Sequence, residues 1–214
     1  MRIKRIISGT LSLGLLVAGA LLIGAFFMGQ APGILADEST QQGSGAASGG
    51  QGPSGFSVPQ LEGGSATAGG PEDKTLKVTI PAMSRIENDT VPDAAGDNER
   101  ALKENAAIHL RGTGFPWQKE SNTYLAGHRL GYPGTESFLA FYDLTKLEEG
   151  DEVYVEDAEG TEYTYRVYRS FVTEPSDLSV TKPVDGKNIL TLQTCTLPDY
   201  SDRLIVQAEL VEKG

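Results

Sequence analysis

The amino-acid sequence predicts a mainly β domain, either a sandwich or a barrel, preceded by a membrane segment and a flexible linker. Two observations predict the β class: apolar residues recur at every second position in several short stretches, and turn-forming residues separate those stretches. The part of the chain after residue 70 has 144 residues, which is enough for one hydrophobic core. The three regions are predicted to span residues 1–36, 37–70 and 71–214.

The first region is predicted to be a membrane anchor. Ile6 to Met28 is a run of 23 residues without a charge, and a helix of that length exceeds the ~30 Å hydrocarbon core of a bilayer. Basic residues precede the run and the first acidic residues, Asp37 and Glu38, follow it, which by the positive-inside rule leaves the N-terminus in the cytoplasm. The alternative, a cleaved signal peptide, usually has a shorter apolar region of about 7–15 residues. We therefore expect a single-pass transmembrane helix in the cell membrane and an extracellular domain.

Residues 37–70 are predicted to be a disordered spacer. They are rich in Gly, Ser, Ala and Gln, as in GSGAASGGQGPSG and GGSATAGG. Such a composition buries too little apolar surface to offset the entropy of ordering the chain. As a flexible coil the spacer has a root-mean-square span of about 30–35 Å, so it would hold the domain close to the membrane surface.

The region of residues 71–214 is predicted to be built mostly from strands. In Thr161–Phe171, for example, Tyr163, Tyr165 and Val167 alternate with polar residues. Strands are expected over Thr75–Pro81, Asp151–Asp157, Thr161–Phe171, Asn188–Cys195 and Arg203–Leu210, with a hairpin turn at Asp157–Gly160. Helical periodicity is limited to Glu99–Ala106 and Ser137–Leu147. This pattern favours a sandwich or a barrel.

Composition excludes several classes of protein. The chain has one Cys and two His, too few for a disulfide scaffold or a zinc cluster. Its formal net charge of −11 argues against a nucleic-acid binder, which needs a basic face. We therefore predict no metal, no cofactor and no nucleic-acid partner.

Three residues at predicted strand ends could carry chemistry. Cys195, the only Cys, ends a strand; His128 follows a strand-like stretch; and Arg203 begins the last predicted strand. If the strands that flank Thr196–Asp202 pair antiparallel, Cys195 and Arg203 come side by side, with Arg203 turned away from the core. A thiolate nucleophile needs a proton partner, usually His, and an oxyanion needs a donor such as Arg. Each residue taken alone also fits an inert role: a buried thiol, a structural histidine or an ion-paired arginine.

At these three positions the sequence resembles the sortase family. Thr191–Cys195 reads TLQTC, which matches the TLxTC signature around the sortase cysteine. Leu125–Arg129, LAGHR, resembles the family's histidine motif, and Ser201–Val206, SDRLIV, resembles its arginine-bearing last strand. The resemblance extends over roughly Leu76 to Leu210 and has the three motifs in the family's order.

The resemblance implies a closed β-barrel of about eight strands with short helices, and a cysteine transpeptidase that anchors surface proteins outside a Gram-positive membrane. Cys195 would attack an LPxTG-like or LAxTG-like C-terminal sorting signal and form a thioacyl-enzyme. His128 would protonate the leaving amine, Arg203 would bind the oxyanion, and Thr194 would line the pocket for the signal. The partners would be exported proteins that carry the signal and an amine acceptor, either a cell-wall precursor or a pilin lysine. The residues after the histidine motif look closer to the actinobacterial sortases of class E.

Two other functions stay open at this point. An L,D-transpeptidase-like wall enzyme also uses His and Cys, but its motif has Arg almost directly after the Cys, whereas Arg203 comes eight residues after Cys195. A tethered β domain that binds wall polymer or a partner protein would bury Cys195 as an unreactive thiol. Access of the sulfur to a peptide separates such a binding domain from an enzyme.

Overall fold

The computed structural model describes Val58, Pro59, Leu61 and residues 69–214. The predicted membrane anchor and most of the predicted spacer therefore lie outside the described residues. Within the described part of the chain, no helix is both long and apolar enough to cross a membrane. Val58, Pro59 and Leu61 belong to the range of the predicted spacer, and Val58 and Pro59 are buried.

The described residues form nine strands, one short α-helix and two 3₁₀ helices. Helix α1 spans Glu99–Glu104 and is capped by Asn98, whose side-chain oxygen accepts a hydrogen bond from Ala101 N at 3.0 Å. The 3₁₀ helices span Tyr142–Lys146 and Leu178–Thr181. The strands are β1 (Leu76–Thr79), β2 (Asp89–Val91), β3 (Asp93–Ala94), β4 (Ile108–Leu110), β5 (Ser121–Ala126), β6 (Glu152–Glu156), β7 (Glu162–Thr173), β8 (Asn188–Cys195) and β9 (Arg203–Lys213).

All nine strands of the described domain belong to one sheet, in the order β2-β1-β6-β7-β9-β8-β5-β4-β3. The strands at the two ends of this order, β2 and β3, are consecutive in the chain and separated only by Pro92. Proline has no N–H to continue a ladder, so the chain stops pairing with β1 at Val91 and pairs with β4 from Asp93 onward. The sheet therefore curls round to meet itself. With β2 and β3 counted as one bent strand the sheet has eight, and the predicted mainly β, barrel-like fold is confirmed.

Two apolar clusters lie on opposite faces of this sheet. The interior cluster holds alternate strand residues, among them Val78, Val155, Leu192 and Val206. The outer cluster includes Ile108, Tyr124, Ala126, Cys195 and Ile205, and it is covered by Leu102 of α1, Val180 of the second 3₁₀ helix and Val58. Because β8 contributes to both clusters, all eight of its residues are buried.

The predicted alternation along the last strand is confirmed. Leu204, Val206 and Ala208 lie in the interior cluster, whereas Ile205 lies in the outer cluster. Since side chains alternate along a strand, Arg203 shares the outward face with Ile205. Strand β9 begins at Arg203 as predicted and continues to Lys213.

The short helical segment predicted within Ser137–Leu147 is a 3₁₀ helix that spans only Tyr142–Lys146. Leu139 has a φ of 57°, in the left-handed region that an α-helix of L-residues does not use. The backbone of this stretch bonds instead to the loop that carries the candidate histidine, because Phe141 N donates to His128 O at 3.0 Å. The apolar pattern thus marks a segment that packs back on the His128 loop.

Candidate active site

The strand pairing brings the ends of β5, β8 and β9 to one edge of the sheet. β5 and β8 run parallel, with Ala126 opposite Gln193, so both strands end at this edge. β8 and β9 run antiparallel, with Cys195 opposite Arg203, so β9 begins there. This is the antiparallel pairing around Thr196–Asp202 that the sequence predicts.

Cys195 is the last residue of β8 and shares the outward face with Arg203, its direct partner in the ladder. The Cys195 side chain is 1% exposed and belongs to the outer apolar cluster. Burial raises the pKa of the thiol, while the positive charges of Arg203 and then Arg129 oppose this rise. The resting side chain is therefore a protonated thiol at neutral pH.

The strand pairing also brings His128 level with Cys195. Ala126 pairs with Gln193 in the β5–β8 ladder, and His128 and Cys195 each lie two residues further along. Gly127 N donates to Gln193 O at 3.0 Å, so the pairing continues past the end of β5. The cysteine, the histidine and the arginine that the sequence singles out therefore lie at the same edge of the barrel.

Close packing holds the His128 loop in place. A Cβ at Gly127 would lie 2.8 Å from Ala106 O and 2.9 Å from the Phe141 ring, which explains a glycine directly before the histidine. The His128 imidazole is 4% exposed and meets the Tyr132 ring edge-on, with ring centres 5.5 Å apart. Burial lowers the pKa of His128 to about 4, so the imidazole is neutral at pH 7.

Arg203 is held by the loop between β8 and β9. Its side chain is 3% exposed, and Nη1 donates to Tyr200 O at 3.1 Å and to Asp202 O at 3.0 Å. The loop is itself closed by Thr196 N, which donates to Asp202 O at 3.0 Å. These backbone contacts orient a guanidinium whose charge lowers the pKa of Cys195 against the effect of burial.

Thr194, the fourth residue that the sequence predicts for the site, links the two parallel strands. It is 0% exposed and donates from Oγ1 to Gly127 O at 2.8 Å. Its ladder partner, Leu204, lies in the interior cluster, so Thr194 faces the barrel interior beneath the turn to His128. Contact between Thr194 and a bound signal stays a prediction.

Arg129 is a neighbour of the thiol that sequence reasoning did not select. Its Nη2 lies 3.4 Å from Thr145 Oγ1, and its guanidinium lies 5.6 Å from the centre of the Tyr142 ring. Its positive charge nevertheless acts on Cys195. The only signal in the sequence is its place directly after the histidine in LAGHR.

A short stretch from the range of the predicted spacer covers the outer cluster. Val58 is 5% exposed and belongs to the same cluster as Cys195, and Leu61 packs against that cluster. Gly96 allows the backbone of this stretch to lie close to the domain, since a Cβ at Gly96 would clash with the Pro59 carbonyl oxygen. The sequence marks these residues only as isolated apolar positions among Gly, Ser and Gln.

The second histidine is engaged in structural contacts. His109 in β4 is 0% exposed, with Nδ1 2.9 Å from Asp93 Oδ1 and Nε2 2.9 Å from Gly114 O. Among the residues that the structure describes, no group of three or more His, Cys, Asp or Glu side chains is arranged to hold a metal ion.

Comparison with known proteins agrees with this arrangement. A model of the sortase domain matches residues 78–211. The chain belongs to the sortase family. Sortase A of Streptococcus agalactiae is 29% identical over 140 residues, 65% of this chain. Sortase SrtE1 of Streptomyces coelicolor is 33% identical over 153 residues, 64% of this chain. The chain spans 51% and 38% of the lengths of these two sortases.

A solved sortase structure has the same fold. A mutant of sortase E from Streptomyces avermitilis is 31% identical and superposes with a TM-score of 0.54, with 65% of this chain and 88% of that chain covered. The residues matched by the sortase family model, 78–211, include His128, Cys195 and Arg203.

The electrostatics of this sortase favour a neutral resting pair. Burial raises the pKa of Cys195 and lowers that of His128, so the thiol and the imidazole are both uncharged at neutral pH. A neutral imidazole can accept the thiol proton at the moment when the sulfur attacks, and positive charge nearby favours the thiolate that results. The arrangement can therefore generate its nucleophile during a reaction without holding a thiolate at rest.

Proposed function

We propose that the protein is a membrane-anchored cysteine transpeptidase. It cleaves a C-terminal sorting signal of the LPxTG or LAxTG type in an exported protein, and it transfers that protein to an amine of a cell-wall precursor or a pilin. One observation carries the proposal: Cys195 pairs with Arg203 at the edge of the barrel where His128 leaves β5. Family membership over residues 78–211 supports it.

In the first half-reaction the sulfur of Cys195 attacks the carbonyl carbon of the signal's threonine. A carbon–sulfur bond forms, and the thiol proton passes to the His128 imidazole. The carbonyl oxygen becomes an oxyanion, which the Arg203 guanidinium stabilises. The carbon–nitrogen bond then breaks, the imidazolium protonates the leaving amine, and the exported protein is left as a thioester on Cys195.

In the second half-reaction the acceptor amine attacks the thioester. A carbon–nitrogen bond forms, the carbon–sulfur bond breaks, and the amine gives up one proton to His128. His128 passes this proton to the sulfur of Cys195, which restores the neutral pair. Water in place of the amine gives hydrolysis by the same steps.

Thr194 supports, from the interior side, the outward face of β5 and β8, which forms the floor of the proposed peptide site. Its hydrogen bond to Gly127 O positions the turn that carries His128. We assign it to signal binding through this contact, since a floor held in one geometry binds an extended peptide in one register.

The signal has to reach a sulfur that is 1% exposed. Val58 packs in the same cluster as Cys195, and Leu61 packs against that cluster. An extended signal therefore takes the place of these residues on the outer face, and its own apolar residues replace their contacts.

The proposal includes a location and a subclass. Residues 1–36 anchor the chain by a single helix, residues 37–70 space the domain from the bilayer except where Val58 and Leu61 pack on it, and the domain acts outside the cell. The likeness to SrtE1 of Streptomyces coelicolor and to a sortase E structure supports class E, and with it an LAxTG-type signal.

Burial of Cys195 favours one competing function, a tethered β domain that binds wall polymer or a partner without catalysis. In that case the thiol would be inert under native conditions. The L,D-transpeptidase alternative has no such support, because Arg203 lies opposite Cys195 in the ladder instead of following it directly in the chain.

A peptide panel tests the proposal. Full-length protein in detergent is incubated with LPxTG, LAxTG or scrambled peptides and an amine acceptor. We expect transfer product with at least one signal peptide, none with the scrambled peptide, and none with the Cys195→Ala variant. No product from any peptide, together with no labelling of Cys195 by a thiol reagent, would support the binding domain instead.

A further inference from the structure

One buried polar group on the outward face of the sheet has no hydrogen-bond partner. The Gln193 side chain is 1% exposed, and its Oε1 accepts a hydrogen bond from the Tyr124 hydroxyl, which orients the amide. Its Nε2 is buried and donates to no group within the described residues. Buried polar groups are nearly always hydrogen-bonded, because an unpaired donor costs free energy. The unpaired N–H of Gln193 therefore requires an explanation.

The neighbouring polar side chains on the same face, Asn122, Thr191 and Gln207, are all hydrogen-bonded. Thr191, two residues before Gln193, donates to Asn122 Oδ1 at 2.7 Å and accepts from Gln207 Nε2 at 3.0 Å. Asn122 Nδ2 donates to Val180 O at 2.8 Å, and Gln207 Oε1 accepts from two side chains of β7. The missing partner is therefore specific to the position of Gln193 and does not reflect loose packing of this face.

Gln193 lies on the outward face of β8, over which the signal peptide reaches the thiol in the proposed function. It shares a face with Cys195 one strand repeat away, about 7 Å along β8. Its ladder partners, Ala126 and Ile205, both belong to the outer apolar cluster that contains Cys195 and that Val58 covers. A peptide that replaces Val58 brings backbone carbonyls to a floor whose neighbouring side chains are apolar.

We propose that Gln193 is a specificity-determining residue whose Nε2 donates a hydrogen bond to a backbone carbonyl of the signal peptide. This inference rests on the proposed function. The unpaired group is a donor, so its ligand is an acceptor, and alternate carbonyls of an extended peptide point the same way. When a peptide runs parallel to β8 with its scissile carbonyl at Cys195, the carbonyl two residues upstream faces Gln193. A peptide in another register leaves Nε2 unpaired, and the enzyme discriminates against it.

A double-mutant cycle between protein and peptide tests this hydrogen bond. The parent is the signal peptide that reacts best in the panel. The analogue replaces the amide between the second and third signal residues by a trans-alkene, which keeps the shape and removes the carbonyl oxygen together with the amide N–H. A control analogue carries the alkene between the first and second residues. The protein is full-length wild type or Tyr124→Phe/Gln193→Leu, a pair of changes that leaves neither the hydroxyl nor the amide unpaired.

We expect the wild type to lose about tenfold in kcat/KM for thioester formation with the analogue, as for a hydrogen bond to a buried group. The double variant should lose at most about twofold, and the control analogue should affect both proteins equally. An equal loss in wild type and double variant with the test analogue would overturn the assignment of Gln193.

Thermal unfolding separates this result from a folding defect. The double variant removes an unpaired buried donor, so it should unfold at the wild-type temperature or above. If the double variant unfolds at a lower temperature than the wild type, the cycle is repeated with Gln193→Met and Tyr124 intact. An equal loss in kcat/KM with the test analogue in the wild type and in Gln193→Met would again overturn the inference. Failure of the proposed function would look different, because no thioester would then form even with the parent peptide.

Discussion

Replacing Val58 by Ala should make Cys195 more accessible, because Val58 packs in the apolar cluster that contains this sulfur. Val58 is 5% exposed, so the change removes two buried methyl groups, each worth about 0.8 kcal/mol. The contact is therefore weakened by about 1.5 kcal/mol. Since about 1.4 kcal/mol is a factor of ten at 25 °C, the population in which Val58 has left the cluster and Cys195 is accessible should rise about tenfold.

The assay is labelling of Cys195, the only cysteine of the chain, by a thiol-specific reagent. When opening is fast and reversible, the labelling rate is the open fraction multiplied by the intrinsic rate of the thiol. Val58→Ala should therefore be labelled about tenfold faster than the wild type. Val211→Ala is the matched control, because Val211 is 47% exposed in β9 and belongs to neither apolar cluster.

Two results would refute this reasoning. Equal labelling rates in the wild type and Val58→Ala would mean that Val58 does not limit access to the sulfur. If Val58→Ala is labelled faster and also loses about 1.5 kcal/mol in its free energy of global unfolding, the label reports unfolding of the whole domain and not local opening at Val58. Thermal unfolding of each variant distinguishes these cases.

Three further predictions concern the charges around the thiol. His128→Ala and Arg203→Ala should each slow thioester formation about 10²-fold or more, and the losses should not add, because both groups act on one step; near-wild-type rates with the signal peptide would exclude the assigned roles. Burial lowers the pKa of His128 from 6.5 to about 4, so the unfolded chain binds this proton more tightly. The free energy of unfolding should fall by about 3 kcal/mol as the pH drops from 6.5 to 4, and urea unfolding of His128→Gln should show a smaller fall. The charge of Arg129 opposes the rise in the pKa of Cys195, so Arg129→Gln should move the midpoint of Cys195 alkylation to higher pH, and an unchanged midpoint would contradict this.

The positions of Cys195 and Arg203 could be predicted because they depend on local pattern. The strand that ends at Cys195 is rich in Ile, Leu and Thr, and in the strand that begins at Arg203 the residues Leu204, Val206, Ala208 and Leu210 share one face. A turn of seven residues, Thr196–Asp202, joins them, and the buried face then sets the register of the pair. The observed partners, Cys195 and Arg203, follow from these features alone.

The position of His128 needs information that no local pattern contains. It depends on the parallel pairing of β5 with β8, two strands that lie more than 60 residues apart in the chain. Residue composition indicates that each is a strand, but it does not indicate which strand pairs with which. Resemblance of the LAGHR and TLQTC motifs to one family connected them before the structure did.

Closure of the barrel was also beyond the sequence pattern. β2 has three residues and β3 has two, which is too short for an alternating pattern to be recognised. The proline between them, Pro92, also argues against predicting a strand there. β2 pairs with β1 and β3 pairs with β4, at the two opposite ends of the strand order. Such pairing depends on how the whole sheet curves and not on the local sequence.

Val58 and Gln193 illustrate a second limit. Val58 lies in a stretch of low complexity whose composition predicts a spacer, and one apolar residue there gives no period. Gln193 is one of several polar residues in its strand, and its unpaired N–H is visible only once Tyr124, its partner on β5, is known.

The central claim is that Cys195 carries the signal peptide as a thioester. Intact-mass spectrometry of the full-length protein with each signal peptide measures this directly. The account predicts a mass increase equal to the acyl part of the peptide, located on Cys195, released by an acceptor amine and absent in Cys195→Ala. A wild-type protein that stays unmodified by every signal peptide, although Val58→Ala reacts readily with a thiol reagent, would contradict it.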